Sequence, residues 1–497
     1  MRLPFLLSLV LTGAWCAETP APPDFREVRQ FIEQRIAEGP SPSAAVAVIR
    51  NGRVVWAEGF GYADRENQRK ATADSIYWLA SVSKPLTATA LMTLVERGKI
   101  DLDRPANDYL PGAKLRSYAG DAREITIRRL ASHTSGMPTH FNFFHEGAAP
   151  PPWDVTIGRY GFAVARPGTR QEYSNLGFGL LGYISELVSG VRRRAFLERT
   201  VFDPLGMTRT SDHVRAGHEA EAAVPYWMDA AGRGIRLKPY QFDHPAASTY
   251  WSSANDLARF VRMHLNDGAL DGVRILKPES AIAMRTPRRD PRAAEGLNEG
   301  SPAEIRYCIG WGVERFLGHD SFSHGGGMPG VVTMVRVFPE NKSAVIVLTN
   351  SDDRNLAREV ALRISRILVN EPSANAAIPA LVRSPKPPPE LTGAWSGKLE
   401  HYDGPVPLRL RVQAGGAVEV SFGNRPPLIV RDAAFGQAYM TGTVDALLRM
   451  REDYHGVAPL QLRLWCDGNR LTGFAMATVT GYFGLSLFVE LVREGPK

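Results

Sequence analysis

A proline-rich stretch divides this chain of 497 residues into two parts with different hydrophobic patterns. Residues 370–390 carry proline at positions 372, 379, 385 and 387–389. Proline lacks a backbone N–H and fixes its own φ, so this density of proline is incompatible with a helix or a central strand and predicts a linker. The residues before and after it, 25–368 and 391–497, are therefore expected to fold as two units.

The segment after the linker alternates apolar and polar residues. Leu408, Leu410 and Val412 are one example, and three further runs with this spacing follow. A period of two is typical of strands with one buried face. We expect seven or eight short strands in residues 391–497, forming a small antiparallel barrel or sandwich.

The longer unit mixes helical and strand patterns. Asn51-Gly52, a dipeptide typical of a two-residue hairpin turn, separates two apolar runs. The periodicity predicts strands at 44–49, 54–60, 331–338 and 343–348, and helices at 25–37, 85–97, 176–189, 253–265 and 357–368. Strands thus come from both ends of this unit, with helices between them. The expected fold class is α/β (α+β), an antiparallel sheet with a helical insertion, followed by a C-terminal antiparallel β-barrel.

Residues 1–17 have the pattern of a signal peptide, with Arg2 followed by an apolar run and then by small residues. The apolar run is too short to span a bilayer, so we expect an exported protein, periplasmic or secreted, without a transmembrane anchor after cleavage. An oxidising compartment would allow one disulfide between Cys308 and Cys466. Two free thiols are the simpler expectation, because the two cysteines fall in different units.

Charge and short motifs exclude several classes of function. The basic excess, 59 − 52 = +7, is scattered, and its longest run is at residues 192–194, which indicates a solvated surface rather than a nucleic-acid interface. The sequence has no HExxH, CxxC or GxSxG, so we expect neither metal nor cofactor and disfavour an α/β-hydrolase. Residues 177–182 match GxGxxG, but without a preceding strand this pattern indicates close helix packing rather than a dinucleotide site.

The sharpest chemical candidate is the tetrapeptide Ser-Val-Ser-Lys at residues 81–84, where a helix is expected to begin. Ser81 and Lys84 are three residues apart and so share one face of that helix. The backbone N–H of such a serine can stabilise an oxyanion, and a lysine whose pKa is lowered by burial can accept the serine proton. Taken alone, the pair would equally describe a helix cap and a surface lysine.

Two later segments carry complementary chemistry. Tyr173 and Asn175 precede an apolar helix, where the tyrosine could relay a proton and the amide could bind a substrate carbonyl. His324 is followed by three glycines, among them Gly326 and Gly327, at which a backbone can lie close to a ligand. Taken alone, the first segment is a turn with an asparagine cap, and the second is a flexible loop with a lone histidine.

In this order, SxxK, YxN and a basic residue before glycine, the three segments resemble the signature of the serine β-lactamase and penicillin-binding-protein superfamily. The stretches most similar to its class C-type branch, which includes β-lactamase-related DD-carboxypeptidases and esterases, are residues 102–111, 130–136, 201–207, 309–312 and 348–350. The resemblance covers about residues 25–368 and implies a β-lactamase-like fold. Residues 391–397 resemble the start of lipocalin-like modules, which could bind a ligand, cover the cleft or only pack against the enzyme.

The resemblance implies catalytic roles for three residues. Ser81 would be the acylated nucleophile, and Lys84 together with Tyr173 would remove its proton. Tyr173 would then protonate the leaving group and help to activate the deacylating water. His133 could pose as the base of a triad, but in its Ser-His-Thr-Ser-Gly context we expect it to hydrogen-bond a loop.

The resemblance assigns substrate binding to Asn175, His324, Gly326 and Gly327. Asn175 would position the substrate amide or the lysine, His324 would line the cleft opposite Tyr173, and the N–H groups of Ser81 and Gly327 would form the oxyanion hole. Many family members have Lys-Thr-Gly at the third motif, whereas His-Gly-Gly has no hydroxyl and a histidine is mostly neutral at pH 7. Recognition of a substrate carboxylate should therefore be weaker or come from elsewhere, which favours peptide or ester substrates over penicillins.

The sequence thus predicts an exported serine hydrolase that works through an acyl-enzyme on an ester or amide, either a D-amino-acid peptide or a small ester. One alternative is a class C-type β-lactamase. The other is a non-enzymatic, penicillin-recognising or cell-wall-sensing protein that stays acylated. The expected partners are a small-molecule or peptide substrate and the cell wall, with no nucleic acid.

Overall fold

The computed structural model describes residues 21–229, 233–288, 306–371, 384–436, 438–446, 448–451, 454 and 458–495. The predicted signal peptide and residues 372–383 of the predicted linker lie outside this part of the chain. Among the described residues, no helix combines the length and the apolar character needed to cross a membrane. Cys308 and Cys466 are both free thiols, as expected.

All five predicted helices are found, with ends shifted by at most three residues. The largest shift is at the last helix, where Asp353 accepts a hydrogen bond from the N–H of Asn355 and so starts the helix three residues early. The described part of the chain contains these α-helices: α1 (Arg26–Glu38), α2 (Ser83–Glu96), α3 (Ile127–Ala131), α4 (Trp153–Tyr160), α5 (Asn175–Ser189), α6 (Arg193–Leu197), α7 (Ala254–Leu265), α8 (Pro278–Ala283) and α9 (Arg354–Leu368).

The main sheet is antiparallel and joins the two ends of the longer unit, as predicted. Strand Ser43–Arg50 pairs with Ser343–Thr349 on one side and with Arg53–Asp64 on the other. Asn51 and Gly52 both have positive φ, the conformation that a tight hairpin turn requires. The strand order is Arg306–Tyr307, Gly312–Phe316, His319–Met328, Val331–Phe338, Ser343–Thr349, Ser43–Arg50, Arg53–Asp64 and Arg69–Lys70.

Helices cover both faces of this sheet. In the central strand, Ala45 and Ala47 pack into the core that contains α2 and α7. Val46 and Val48, which point the other way, pack into the core that contains α1 and α9. A strand buried on both faces needs an unbroken apolar run, which is the pattern of residues 44–49. The sheet therefore lies between two helical layers, and the helical insertion occupies one of them.

Within the insertion, α5 packs closely against α2 and the 3-10 turn Pro245–Ala247. A Cβ on Gly179 would lie 2.8 Å from the Cα of His244. A Cβ on Gly182 would lie 2.2 Å from the Cβ of Ala246. The GxGxxG pattern therefore serves helix packing, as the sequence indicated.

The C-terminal segment forms a second antiparallel sheet, whose edge strands Leu428–Ile429 and Arg431–Phe435 are consecutive in sequence, so that it curls into a nearly closed barrel. The structure describes nine strands in this segment, whereas the sequence predicted seven or eight. The two short edge strands have no clear alternation of apolar and polar residues. Their order is Leu428–Ile429, Val418–Phe422, Gly404–Val412, Gly393–His401, Phe483–Arg493, Arg470–Val479, Ala458–Asp467, Tyr439–Ala446 and Arg431–Phe435.

One short strand links this sheet to the helical insertion. Phe141–Phe144 pairs with Gln241–Phe242 of the insertion and, through Phe141 and Asn142, with the first residues of Phe483–Arg493. This strand was not predicted from the sequence. It places the C-terminal sheet against the segments that lead to the YxN motif.

Candidate active site

Ser81 lies in the 3-10 turn Ala80–Val82, directly before α2. The turn is fixed to the main sheet, because Thr333 Oγ1 donates a hydrogen bond of 2.8 Å to the carbonyl oxygen of Leu79. Ala80, the first residue of the turn, has a φ of +48°, a conformation that residues with a side chain rarely adopt. Between residues 75 and 94 only Ser81 is incompletely buried. Its hydroxyl therefore opens onto the surface from an otherwise buried segment.

Lys84 is fully buried, and its Nζ lies 3.0 Å from Ser81 Oγ, 2.7 Å from Asn175 Oδ1 and 3.1 Å from the carbonyl oxygen of Ala247. Burial lowers the pKa of Lys84 well below its ordinary value. A neutral amine has two N–H bonds and one lone pair. Because the amide and carbonyl oxygens can only accept, in the neutral form the two N–H bonds would point to them and the lone pair would face Ser81.

Tyr173 stands beside the same lysine. The centre of its ring is 4.8 Å from Lys84 Nζ, and its hydroxyl hydrogen-bonds Ser81. Burial raises the pKa of Tyr173 well above its ordinary value, and the hydrogen bond to Ser81 only partly opposes this. Tyr173 therefore remains protonated at neutral pH and can pass on a proton, but it is not available as a phenolate base.

Asn175 is the first residue of α5, which Ser174 caps by accepting a hydrogen bond from the N–H of Gly177. Its Nδ2 donates to the carbonyl oxygen of His140 at 2.7 Å, and this contact fixes the amide so that Oδ1 faces Lys84. Of the two roles that the resemblance implied for Asn175, the geometry corresponds to holding the lysine.

His324 faces Tyr173 with 6.5 Å between the ring centres, and both of its nitrogens are engaged. Nδ1 lies 2.7 Å from the carbonyl oxygen of Gly325, and Nε2 lies 2.7 Å from the hydroxyl of Tyr307. A carbonyl only accepts, so the proton is on Nδ1 and Tyr307 donates to Nε2. Burial lowers the pKa of His324 to about 3, so the third motif contributes no cation at neutral pH.

Gly326 and Gly327 lie on strand His319–Met328, and their Cβ positions point to opposite faces of the strand. A Cβ on Gly326 would lie 2.4 Å from the carbonyl oxygen of Leu79, so glycine is needed for the strand to approach the Ser81 turn. Gly327 points the other way, with 3.6 Å from its Cβ position to Arg354 Nη2. Strand pairing with Gly312–Phe316 ends at residue 323, so within the described chain residues 324–328 form an edge.

Tyr307 and Arg354 also lie near this edge, and neither is part of a sequence motif that predicted a site. Tyr307 belongs to a two-residue strand without a pattern of its own. Arg354 is exposed at the start of α9 and has no ion pair within the described residues. An exposed arginine beside a glycine-rich strand is a signal that only the spatial arrangement reveals.

His133 supports the YxN segment rather than acting as a base. Its Nδ1 accepts a hydrogen bond of 3.1 Å from the N–H of Ser174, and its ring packs 4.1 Å from the ring of Tyr173. Burial lowers the pKa of His133 well below its ordinary value. The expected hydrogen bond to a loop is therefore present.

Two further features lie close to the site. His140, Asp243 and His244 are buried and are the group within the described residues that could hold a metal ion, with ligand atoms within 4.8 Å of one another. A cavity of 1110 Å³ is lined by aromatic residues that include Trp78 and Trp251, and Asp243 also reaches it. Ser81, Lys84 and Tyr173 are outside the lining of that cavity.

The family model described as Beta-lactamase matches residues 28–369. Penicillin-binding protein 4 of Amycolatopsis lactamdurans is 30% identical over 319 residues, which are 62% of this chain and 81% of that protein.

Two solved structures share the fold. The octameric penicillin-binding protein homologue from Pyrococcus abyssi has a TM-score of 0.59 and 24% identity, and the similarity covers 93% of this chain and 99% of that one. EstCE1, a hydrolase with promiscuous acyltransferase activity, has a TM-score of 0.55 and 22% identity, over 71% of this chain and 98% of its own. The Pyrococcus match extends over the C-terminal sheet, whereas the family match ends before it.

Proposed function

The chain belongs to the beta-lactamase family, whose members are generally serine hydrolases, and from that membership we propose that it hydrolyses an ester or amide through an acyl-enzyme on Ser81. The observation that carries this proposal is the arrangement of the three polar neighbours of Lys84 Nζ. Two acceptors hold the N–H bonds of the buried amine, and the third neighbour is the Ser81 hydroxyl at 3.0 Å. This is the arrangement of a nucleophile with its general base.

In the acylation step, Ser81 Oγ attacks the substrate carbonyl carbon while its proton passes to the neutral Lys84 Nζ. The carbonyl oxygen becomes an oxyanion, which the backbone N–H groups of Ser81 and Gly327 would stabilise. The bond to the leaving group then breaks, and the proton returns from Lys84, through the Tyr173 hydroxyl, to the departing alkoxide or amine. A new ester bond joins the acyl group to Ser81.

In the deacylation step, water attacks the carbonyl carbon of the acyl-enzyme. Its proton is taken up by Lys84, with the protonated Tyr173 relaying it, and Ser81 Oγ leaves and is protonated again. The raised pKa of Tyr173 supports this relay role, and the lowered pKa of Lys84 supports its role as the base.

The substrates that we propose are D-amino-acid peptides or small esters. His324 is neutral and has no spare donor, so it does not hold a carboxylate. Arg354, beside Gly327, is the cation that would bind the terminal carboxylate of a peptide. An ester would need no such contact. Export to the periplasm or the medium, and work on the cell wall, belong to the same proposal.

Covalent labelling tests the nucleophile. Wild-type protein is expected to be labelled by a fluorescent fluorophosphonate, and Ser81→Ala is expected to lose all labelling. Ser83→Ala is the matched control, because Ser83 is buried in the same motif and accepts a hydrogen bond from the N–H of Tyr250. The control is expected to keep its label. Undiminished labelling of Ser81→Ala would contradict the assignment.

Turnover separates the alternatives. A chromogenic ester, a peptide ending in D-Ala-D-Ala and a chromogenic cephalosporin would be followed alongside intact-protein mass spectrometry. Catalytic turnover of the ester or the peptide supports the hydrolase. Rapid turnover of the cephalosporin alone would indicate a β-lactamase. A penicillin adduct that persists, with no turnover of any substrate, would indicate a sensing protein.

A further inference from the structure

His140, Asp243 and His244 take no part in the proton transfers described above, yet they form one buried hydrogen-bonded cluster. Both carboxylate oxygens of Asp243 lie 3.0 Å from His140 Nε2, and its Oδ1 lies 2.7 Å from His244 Nδ1. Asn142 Nδ2 donates a third hydrogen bond of 3.0 Å. The side chain of Asp243 is 0% exposed, so the carboxylate depends entirely on these donors.

The charge of the cluster follows from these contacts. Burial would raise the pKa of Asp243, but the attraction and hydrogen bonds of His140 and His244 outweigh it and lower that pKa well below its ordinary value. Asp243 is therefore an anion. Since it only accepts, each histidine must carry a proton on the nitrogen that faces it.

The cluster joins the two segments that surround Lys84. His140 precedes strand Phe141–Phe144, and its carbonyl oxygen holds Asn175 Nδ2 at 2.7 Å. His244 precedes the turn Pro245–Ala247, and the carbonyl oxygen of Ala247 accepts from Lys84 Nζ at 3.1 Å. Both acceptors of the lysine are thus attached to segments that Asp243 ties together.

We propose that Asp243 is a positioning residue that aims the lone pair of Lys84 at Ser81. By holding His140 and His244, it sets the distance between the Asn175 amide and the Ala247 carbonyl. The inference rests on the proposed function of Lys84 as the base. A displacement of about 1 Å in a reacting group can cost about 10²-fold in rate, so loss of this tie should appear in the acylation step.

A metal ion is the competing explanation for the same three side chains. Two imidazoles and a carboxylate form a donor set that suits Zn²⁺. In the structure, however, the N–H donors of His140, His244 and Asn142 already occupy both carboxylate oxygens. To bind a metal ion, His140 and His244 would each have to lose the proton from the nitrogen that faces Asp243. We therefore favour the hydrogen-bonded form and measure metal content in the test.

Asp243→Asn tests the proposal. The asparagine amide has the shape of the carboxylate, but its NH₂ group would face at least one of the N–H groups that now donate to Asp243. We expect acylation by a chromogenic ester to slow roughly 10- to 100-fold with little change in KM. Misplaced acceptors would stabilise the ammonium form of Lys84 less. The acid limb of the pH–rate profile should therefore move to lower pH. Asp256→Asn is the control, since Asp256 is equally buried but binds Thr210 and the N–H of Arg209.

The control is expected to lose stability while keeping the wild-type acylation rate and pH profile. If Asp243→Asn does not fold, His140→Phe removes the ring donor, keeps the backbone carbonyl and should show the same shift. An unchanged rate and profile, with Ser81 still labelled in the wild type, would overturn the positioning role and leave the proposed function intact. About one equivalent of zinc in the wild type, lost in Asp243→Asn, would also overturn it.

Discussion

At the scale of single residues, the site is defined by where charge is allowed. Burial lowers the pKa of Lys84 well below its ordinary value and the pKa of His324 to about 3, so burial favours the neutral form of both side chains. Arg354, by contrast, is exposed beside Gly327. The buried part of the site is thus suited to proton transfer, and a guanidinium group lies beside the third motif.

Arg354→Met tests whether this guanidinium group recognises a substrate carboxylate. A charge-assisted hydrogen bond contributes about 1.5–3 kcal/mol, so KM for a peptide with a free terminal carboxylate should rise roughly 10- to 100-fold. Hydrolysis of a neutral chromogenic ester should change little. Steady-state kinetics on both substrates would measure this.

Arg358→Met provides the comparison, because Arg358 is exposed one turn further along α9. It should leave both substrates unaffected. Equal losses on the peptide and the ester in Arg354→Met would mean that Arg354 does not recognise a carboxylate.

At the scale of elements, the glycines of α5 determine how the lysine is held. Gly179 and Gly182 let the helix approach the turn that carries the Ala247 carbonyl. The sequence predicted this helix and its close packing, since periodicity and glycine spacing are local signals. It did not predict strand Phe141–Phe144, because its pairing with residues 483–484 lies more than 300 residues away and only four residues form it.

Gly182→Ala should disturb this packing. Its Cβ would lie 2.2 Å from the Cβ of Ala246, so either the helix or the turn must move. We expect the free energy of unfolding to fall by about 1–3 kcal/mol, the usual cost of overpacking, and acylation to slow because the Ala247 carbonyl shifts. Thermal unfolding and ester kinetics would measure the two effects.

Gly177→Ala is the matched control within the same motif. Its Cβ would meet its nearest neighbour, Leu130 Cδ2, at an ordinary 3.5 Å, and alanine is the better helix former by about 1 kcal/mol. We expect this variant to be as stable as the wild type or more so. If both variants behaved alike, close approach at Gly182 would not be the reason for the glycine.

At the scale of the whole molecule, the C-terminal sheet reaches the segments around the site. Arg463 Nη1 lies 3.1 Å from Glu172 Oε1, next to Tyr173. Arg451 Nη1 donates to Asn142 Oδ1 at 2.8 Å, and Asn142 in turn binds the Asp243 cluster.

The sequence predicted the composition of this site far better than its supports. Ser81, Lys84 and Tyr173 stand in motifs whose order is informative, and the structure brings them together. Asp243 and Arg463 stand in no motif, and two residues that they bind, His140 and Glu172, are about 100 and 290 residues away in the chain. Contacts of that kind depend on how the layers assemble, which local periodicity does not encode.

Buried histidines make the stability of the whole molecule depend on pH, and His264 tests this away from the site. It lies between α2 and the main sheet, where Thr89 accepts from its Nε2 at 3.2 Å, and burial lowers its pKa to about 3. Unfolded histidine titrates near 6.5, so its stability contribution is present above pH 6.5 and is lost as the pH falls towards 3.

His264→Phe removes this loss, and its stability relative to wild type should rise by up to about 1.4 kcal/mol per pH unit below pH 6. Thermal or urea unfolding of both proteins between pH 7 and pH 4.5 measures the difference, from which other titrating groups cancel. A difference that does not change with pH would show that His264 titrates in the folded protein as it does in the unfolded chain.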